Sequence, residues 1–97
     1  MLRRNSRTDK LFAGILSLKN IEECYMFFED LCTLKELSDM TQRFEIADML
    51  IRGSSCKETS DKARVSSTTV CRVKKALDYG EDGYKTVFSR LEEKNGD

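Results

Sequence analysis

The sequence predicts an all-α protein, and three observations carry that expectation. Proline is absent from all 97 residues, so no position lacks the backbone donor that a helix interior needs. Apolar residues recur at spacings of three and four along most of the chain, the period of a helix with one buried face. Glycines and capping residues punctuate that pattern into short segments. About 39% of the residues are apolar, which supports a modest core in one small domain. A second copy of the chain would add to what so short a sequence can bury.

The elements follow in order. Residues 1–10 are polar and basic without periodicity and read as a flexible arm, with a single helical domain over 11–97. Leu11, Phe12, Ile15 and Leu16 supply a first apolar turn or two. From Asn20, the residues Ile21, Cys24, Tyr25, Phe28 and Cys32 mark an amphipathic helix. Thr33 and Glu36 have the form of a capping box opening a short helix with Leu34 and Leu37. A break is expected around Asp39 to Thr41. A longer helix follows with Phe44, Ile46, Ala47, Met49, Leu50 and Ile51, and Gly53 is placed to stop it. Two short helices are expected at 56–63 and at Ser67–Leu77, the second ended by Gly80. Asp82 can cap a last helix, whose Tyr84, Val87, Phe88 and Leu91 form a stripe suited to a core or dimer interface.

Composition narrows the function. No apolar run is long enough to span a bilayer, and no secretory leader pattern opens the chain, so a cytoplasmic protein is expected. Cys24, Cys32, Cys56 and Cys71 include no close pair, and there is no histidine, so no metal site is expected. Without histidine, a nucleophile–base pair or a glycine-rich phosphate loop, nothing supports catalysis.

The formal net charge is zero, but its distribution is uneven. Residues 1–10 carry a net +3, residues 22–51 a net −6 and residues 52–75 a net +5. Positive charge confined to an arm and one internal segment suits a DNA-binding face on an otherwise neutral protein. Charge alone is equally met by a solvated mixture of exposed groups.

The segment from about 56 to 77 has the form of a helix-turn-helix. Val65 lies just past the turn, Val70 and Val73 fall on the inner side of the second helix, and Leu77 follows one turn on. Ser66, Ser67, Thr68, Thr69 and Cys71 then face outward near its N-terminus, followed by Arg72, Lys74 and Lys75. Such a helix offers Ser67, Thr68 and Thr69 to base edges, with Cys71 nearby, while Lys57, Arg64, Arg72, Lys74 and Lys75 meet phosphates. Two features run against the pattern. The turn holds Arg64 where glycine would permit a positive φ, and Thr59 and Ser60 occupy places that are normally more apolar. Arg64 in the turn and the zero net charge keep a second class of function open, a helical dimer that has lost DNA binding and acts through protein contacts.

The strings Met40-Thr41-Gln42-Arg43-Phe44-Glu45-Ile46-Ala47-Asp48-Met49-Leu50, Val65-Ser66-Ser67-Thr68-Thr69-Val70-Cys71-Arg72-Val73-Lys74 and Asp78-Tyr79-Gly80-Glu81-Asp82-Gly83-Tyr84-Lys85 resemble the Trp-repressor-related family, most closely its YerC/YecD subgroup. The resemblance covers about residues 18–91. It implies a fold of about six helices in an intertwined homodimer, with two helix-turn-helix heads entering successive major grooves of double-stranded DNA. It implies a transcriptional regulator, in the sense of a repressor. It also sets Thr33, Arg43 and Arg72 where the polar contacts of the family's tryptophan pocket would lie. Val73 stands where that pocket needs glycine, and Ala76 replaces a serine, so no tryptophan corepressor is expected.

Overall fold

The computed structural model describes residues 3–95, which form six α-helices and, among those residues, no strand. They are α1 (Ser6–Leu16), α2 (Ile21–Leu31), α3 (Leu34–Ile51), α4 (Cys56–Ala63), α5 (Ser67–Tyr79) and α6 (Gly83–Asn95). The expected all-α class is the one observed. No helix among the described residues is long and apolar enough to cross a membrane.

Two compact units can be described, one running through Leu37 and the other starting at Ser38. In the N-terminal unit, α1 starts inside the segment read as an arm. The side chain of Asn5 accepts a hydrogen bond from the Thr8 N–H at 2.9 Å, and Asp9 lies in the first turn. Both stabilise a helix N-terminus that the charged residues Arg7 and Lys10 conceal in the sequence. Asn20 caps α2 in the same way through the Glu23 N–H, also at 2.9 Å. Neither α1 nor α2 contains a buried residue.

The break expected near Asp39 to Thr41 is absent, and α3 runs unbroken for 18 residues. Polar residues there suggested a turn, but neither glycine nor proline interrupts the helical ladder. The Thr41 hydroxyl donates to the Ser38 carbonyl at 2.9 Å, so the competing group is satisfied within the helix. The end of α3 is where the sequence put it. Gly53 has φ +102°, its N–H donates to the Leu50 carbonyl at 3.1 Å, and the Ser54 N–H reaches the Met49 carbonyl at 3.0 Å. This is a Schellman closure, with the left-handed residue just past the helix.

The core lies in the C-terminal unit. Ile46 and Ala47 of α3 meet Val70, Val73 and Leu77 of α5, all buried. Leu50, Cys56, Ala63, Val65, Tyr84 and Phe88 pack around them half-buried. Fully burying a side chain of valine or isoleucine size is worth about 1.5–3 kcal/mol, so this small set fixes α5 against α3. Phe44 stacks on Phe88 with ring centroids 4.4 Å apart and lies 6.5 Å from Tyr84, which ties α6 to the same unit. Of the expected α6 stripe, Tyr84 and Phe88 pack inward, while Val87 and Leu91 stay exposed.

Candidate nucleic-acid interface

Helix α4 opens with a capping box. The Glu58 N–H donates to the Ser55 hydroxyl at 3.0 Å, and the Ser55 N–H donates to the Glu58 carboxylate at 3.1 Å. The bonds from the Ser55 backbone and hydroxyl, aided by nearby Lys62, hold the Glu58 carboxyl below its ordinary pKa. Lys57 is exposed in this first turn. Thr59 is fully buried, and its hydroxyl donates to the Ser55 carbonyl at 2.8 Å. The polar residue at an expected apolar position is therefore satisfied inside its own helix.

Arg64 follows α4 with φ +56° and ψ +47°, the left-handed conformation that glycine would adopt without strain. Its N–H donates to the Ser60 carbonyl, and the Val65 N–H reaches the same carbonyl at 3.2 Å. The Ser60 hydroxyl donates in turn to the Val65 carbonyl at 2.7 Å. Arg64 itself is exposed.

Ser66 then caps α5. Its hydroxyl accepts from the Thr69 N–H at 3.2 Å and lies 3.0 Å from the Thr69 hydroxyl. Of the outward hydroxyls read from the sequence, Ser66 and Thr69 are thus engaged with each other, whereas Ser67 and Thr68 stand exposed. Thr68, Cys71, Arg72 and Lys75 are all exposed at the i, i+3, i+4 and i+7 positions of one helical face. That face lies opposite Val70, Val73 and Leu77, so the residues that anchor α5 and those it presents never compete. Lys74 flanks the stripe and is paired with the Asp78 carboxylate at 2.9 and 3.1 Å. The hydrogen bond and charge of Asp78 raise the Lys74 pKa above its ordinary value.

Arg43 and Arg72 come together. With Asp39, Gln42 and Thr69 they line a cavity of about 230 Å³ between α3 and α5. Thr33, the third residue of the possible ligand set, caps α3: its hydroxyl accepts from the Glu36 N–H at 3.0 Å, and its own N–H donates to the Glu36 carboxylate at 2.8 Å. Val73 is 2% exposed, its side chain spent on the core. The four cysteines are free, with Cys71 exposed and the others half-buried. No group of histidine, cysteine or acidic residues among the described residues is arranged to hold a metal.

Residues 6–92 match the sequence profile of the family described as Trp repressor protein. The chain belongs to the Trp repressor family. It is 43% identical over 90 residues to YerC of Bacillus subtilis strain 168, itself uncharacterised, covering 93% of this chain and 86% of that one. Among solved structures it is similar to a TrpR-like protein of Eubacterium eligens, at 43% identity and a TM-score of 0.86, covering 91% of each chain. A proposed Trp repressor from Staphylococcus aureus shares 39% identity at a TM-score of 0.86, covering 91% of this chain and 88% of that one. This Trp repressor family member therefore has the family's six-helix fold, and the family is a regulatory one.

Proposed function

We propose that the protein is a sequence-specific DNA-binding transcriptional regulator, a repressor acting as a homodimer through α4 and α5. The exposed stripe Thr68, Cys71, Arg72 and Lys75, backed by the buried Val70, Val73 and Leu77, carries this reading. A hydroxyl and a thiol near the helix N-terminus suit base edges, and the cations suit phosphates on either side of a major groove. Lys57, Arg64 and Lys75 are the phosphate contacts of first rank, with Lys74 reduced by its pairing to Asp78. Ser67 and Thr68 are the base-edge residues, because Ser66 and Thr69 are occupied at the cap.

The homodimer is supported by the N-terminal unit. Neither of its helices contains a fully buried residue, and Phe12, Leu16, Ile21 and Tyr25 are exposed at 43%, 85%, 64% and 63%. Apolar surface of that extent on two helices suits burial against a second chain. Two heads related by a two-fold axis would read half-sites about 34 Å apart.

Tryptophan is not its corepressor in this reading. Val73 is packed into the core where the family pocket needs glycine, and Ala76 lacks the serine hydroxyl. Calorimetric titration with L-tryptophan is expected to give no micromolar binding, and a micromolar isotherm would overturn the assignment.

Selection of genomic fragments by the purified protein at two salt concentrations tests the function. A palindromic motif is expected, with affinity falling steeply as salt rises. Replacing Lys74 and Lys75 together by alanine should weaken binding to every sequence and lower the salt slope by one to two. With no enriched motif and no salt-sensitive affinity, the chain would act through protein contacts instead.

A further inference from the structure

Two helix ends of the C-terminal unit each close through a left-handed residue and a bond from the residue after it, but with different residues. At the end of α3 the left-handed position is Gly53, and the residue four before it, Met49, accepts the closing bond from Ser54. At the end of α4 the left-handed position is Arg64, and Ser60 accepts the closing bond from Val65. An arginine in this conformation is strained where glycine is not. Met49 has no hydroxyl to offer. Ser60 has one, and it ties back across five residues to the Val65 carbonyl at 2.7 Å.

We infer that Ser60 is the positioning residue of the recognition head, holding the strained Arg64 turn closed and thereby fixing the angle at which α5 leaves α4. The Val65 carbonyl belongs to the peptide that leads into Ser66, the cap of α5. Val65 also packs against the core, so the strap joins the end of α4, the core and the start of α5 at one point. Any looseness there is carried along α5 to Thr68, Cys71 and Arg72. A strained residue persists only where its surroundings over-determine it, and here that residue is an exposed cation on the face that would meet a polyanion. Ser60 touches no nucleic acid in this account and works through the turn.

The inference rests on the DNA-binding reading for its affinity arm, and it has a second arm that does not. The variants are Ser60→Ala, Ser60→Thr, Arg64→Gly and the double Ser60→Ala/Arg64→Gly. Thermal midpoints are measured for each, with Kd for the selected operator and for a random duplex of equal length at several salt concentrations. Ser60→Ala should lower Tm by a few degrees and shrink the operator-to-random affinity ratio about tenfold. Its salt slope should stay unchanged, because no charge is lost. Ser60→Thr, which keeps the hydroxyl, should restore the ratio. Arg64→Gly should raise Tm by about 4 °C and lower the salt slope by about one. In the Arg64→Gly background, Ser60→Ala should cost less than half the Tm it costs in the parent, since glycine needs no strap. Additive Tm changes, or equal loss for operator and random duplex, would overturn the inference. If the parent protein binds neither duplex in a salt-dependent manner, the DNA reading fails. The Tm cycle then still decides the strap, coupling sustaining it and additivity removing it.

Discussion

The N-terminal unit and the C-terminal unit are built from similarly amphipathic helices, yet only one of them has a core. In the C-terminal unit, Ile46 and Ala47 meet Val70, Val73 and Leu77, and the apolar stripe of α5 is spent. In the N-terminal unit, α1 and α2 are well capped by Asn5 and Asn20 but bury no residue. Caps and periodicity are enough to define a helix, whereas stability comes from what its apolar side is pressed against. The contrast separates two jobs. One unit carries the stiffness that the proposed DNA-reading helix would need, and the other carries the surface that the proposed dimer would consume.

Breaking the core of the C-terminal unit should have the largest effect. Val70→Ala removes two methyl groups from a fully buried position and should cost about 2 kcal/mol, read as a lower urea midpoint at unchanged slope. A truncation on α1 sharpens the comparison. Phe12→Ser should weaken dimerisation about tenfold in sedimentation equilibrium, or about 1.4 kcal/mol, without altering the C-terminal core. If Phe12 instead faces only water, its replacement should change nothing beyond about 0.5 kcal/mol, and the dimer would have to be built elsewhere.

Ser55→Ala should cost about 1 kcal/mol in thermal unfolding through loss of the α4 cap. It should also release Glu58 to its ordinary pKa. Glu58 is depressed, so its contribution is present above its unfolded value of 4.5 and fades as pH falls below that. Lys74 is raised, so its contribution is present below 10.5 and fades as pH climbs through the elevated value. Glu58, lowered from 4.5, and Lys74, raised from 10.5, both keep their charge between pH 6 and 8, so neither should make DNA affinity vary over that range. The smallest effect on stability is expected from Asp78→Asn, with no resolvable change in thermal midpoint, because the pair with Lys74 is exposed. Freed from Asp78, Lys74 should tighten binding to all duplexes several-fold in fluorescence anisotropy at low salt. Unchanged affinity would mean that Lys74 does not face the phosphates.

Much of the C-terminal unit was readable from the chain. Gly53 as a stop, the start of α4 at Cys56, the start of α5 at Ser67 and the inward Val70, Val73 and Leu77 all follow from local residue chemistry. The misreadings have physical causes. Ser38, Asp39 and Thr41 look like a turn because these side chains compete for backbone hydrogen bonds, but inside a helix the Thr41 hydroxyl can serve the preceding turn instead. The helical start at Ser6 was hidden because Arg7 and Lys10 mask the periodicity and Asn5 was not taken as a cap. For the interface, residue type identified the cations and hydroxyls but not which hydroxyls were already engaged. Ser66 and Thr69 bond to each other, and Ser60, which looked like a defect in an apolar position, straps the turn. The signal that could have found Ser60 is its pairing with a non-glycine residue four positions on, where a left-handed turn is required.

The exposure of Cys71, on the same face as Thr68, Arg72 and Lys75, gives the molecule a chemical reporter of its own. A thiol-alkylating dye added to the native protein should label Cys71 ahead of the half-buried Cys24, Cys32 and Cys56. A duplex laid along α5 would shield that sulfur and slow its labelling. A partner seated on another surface would leave the rate alone. The occupancy of the exposed face of α5 can thus be followed by footprinting a single atom.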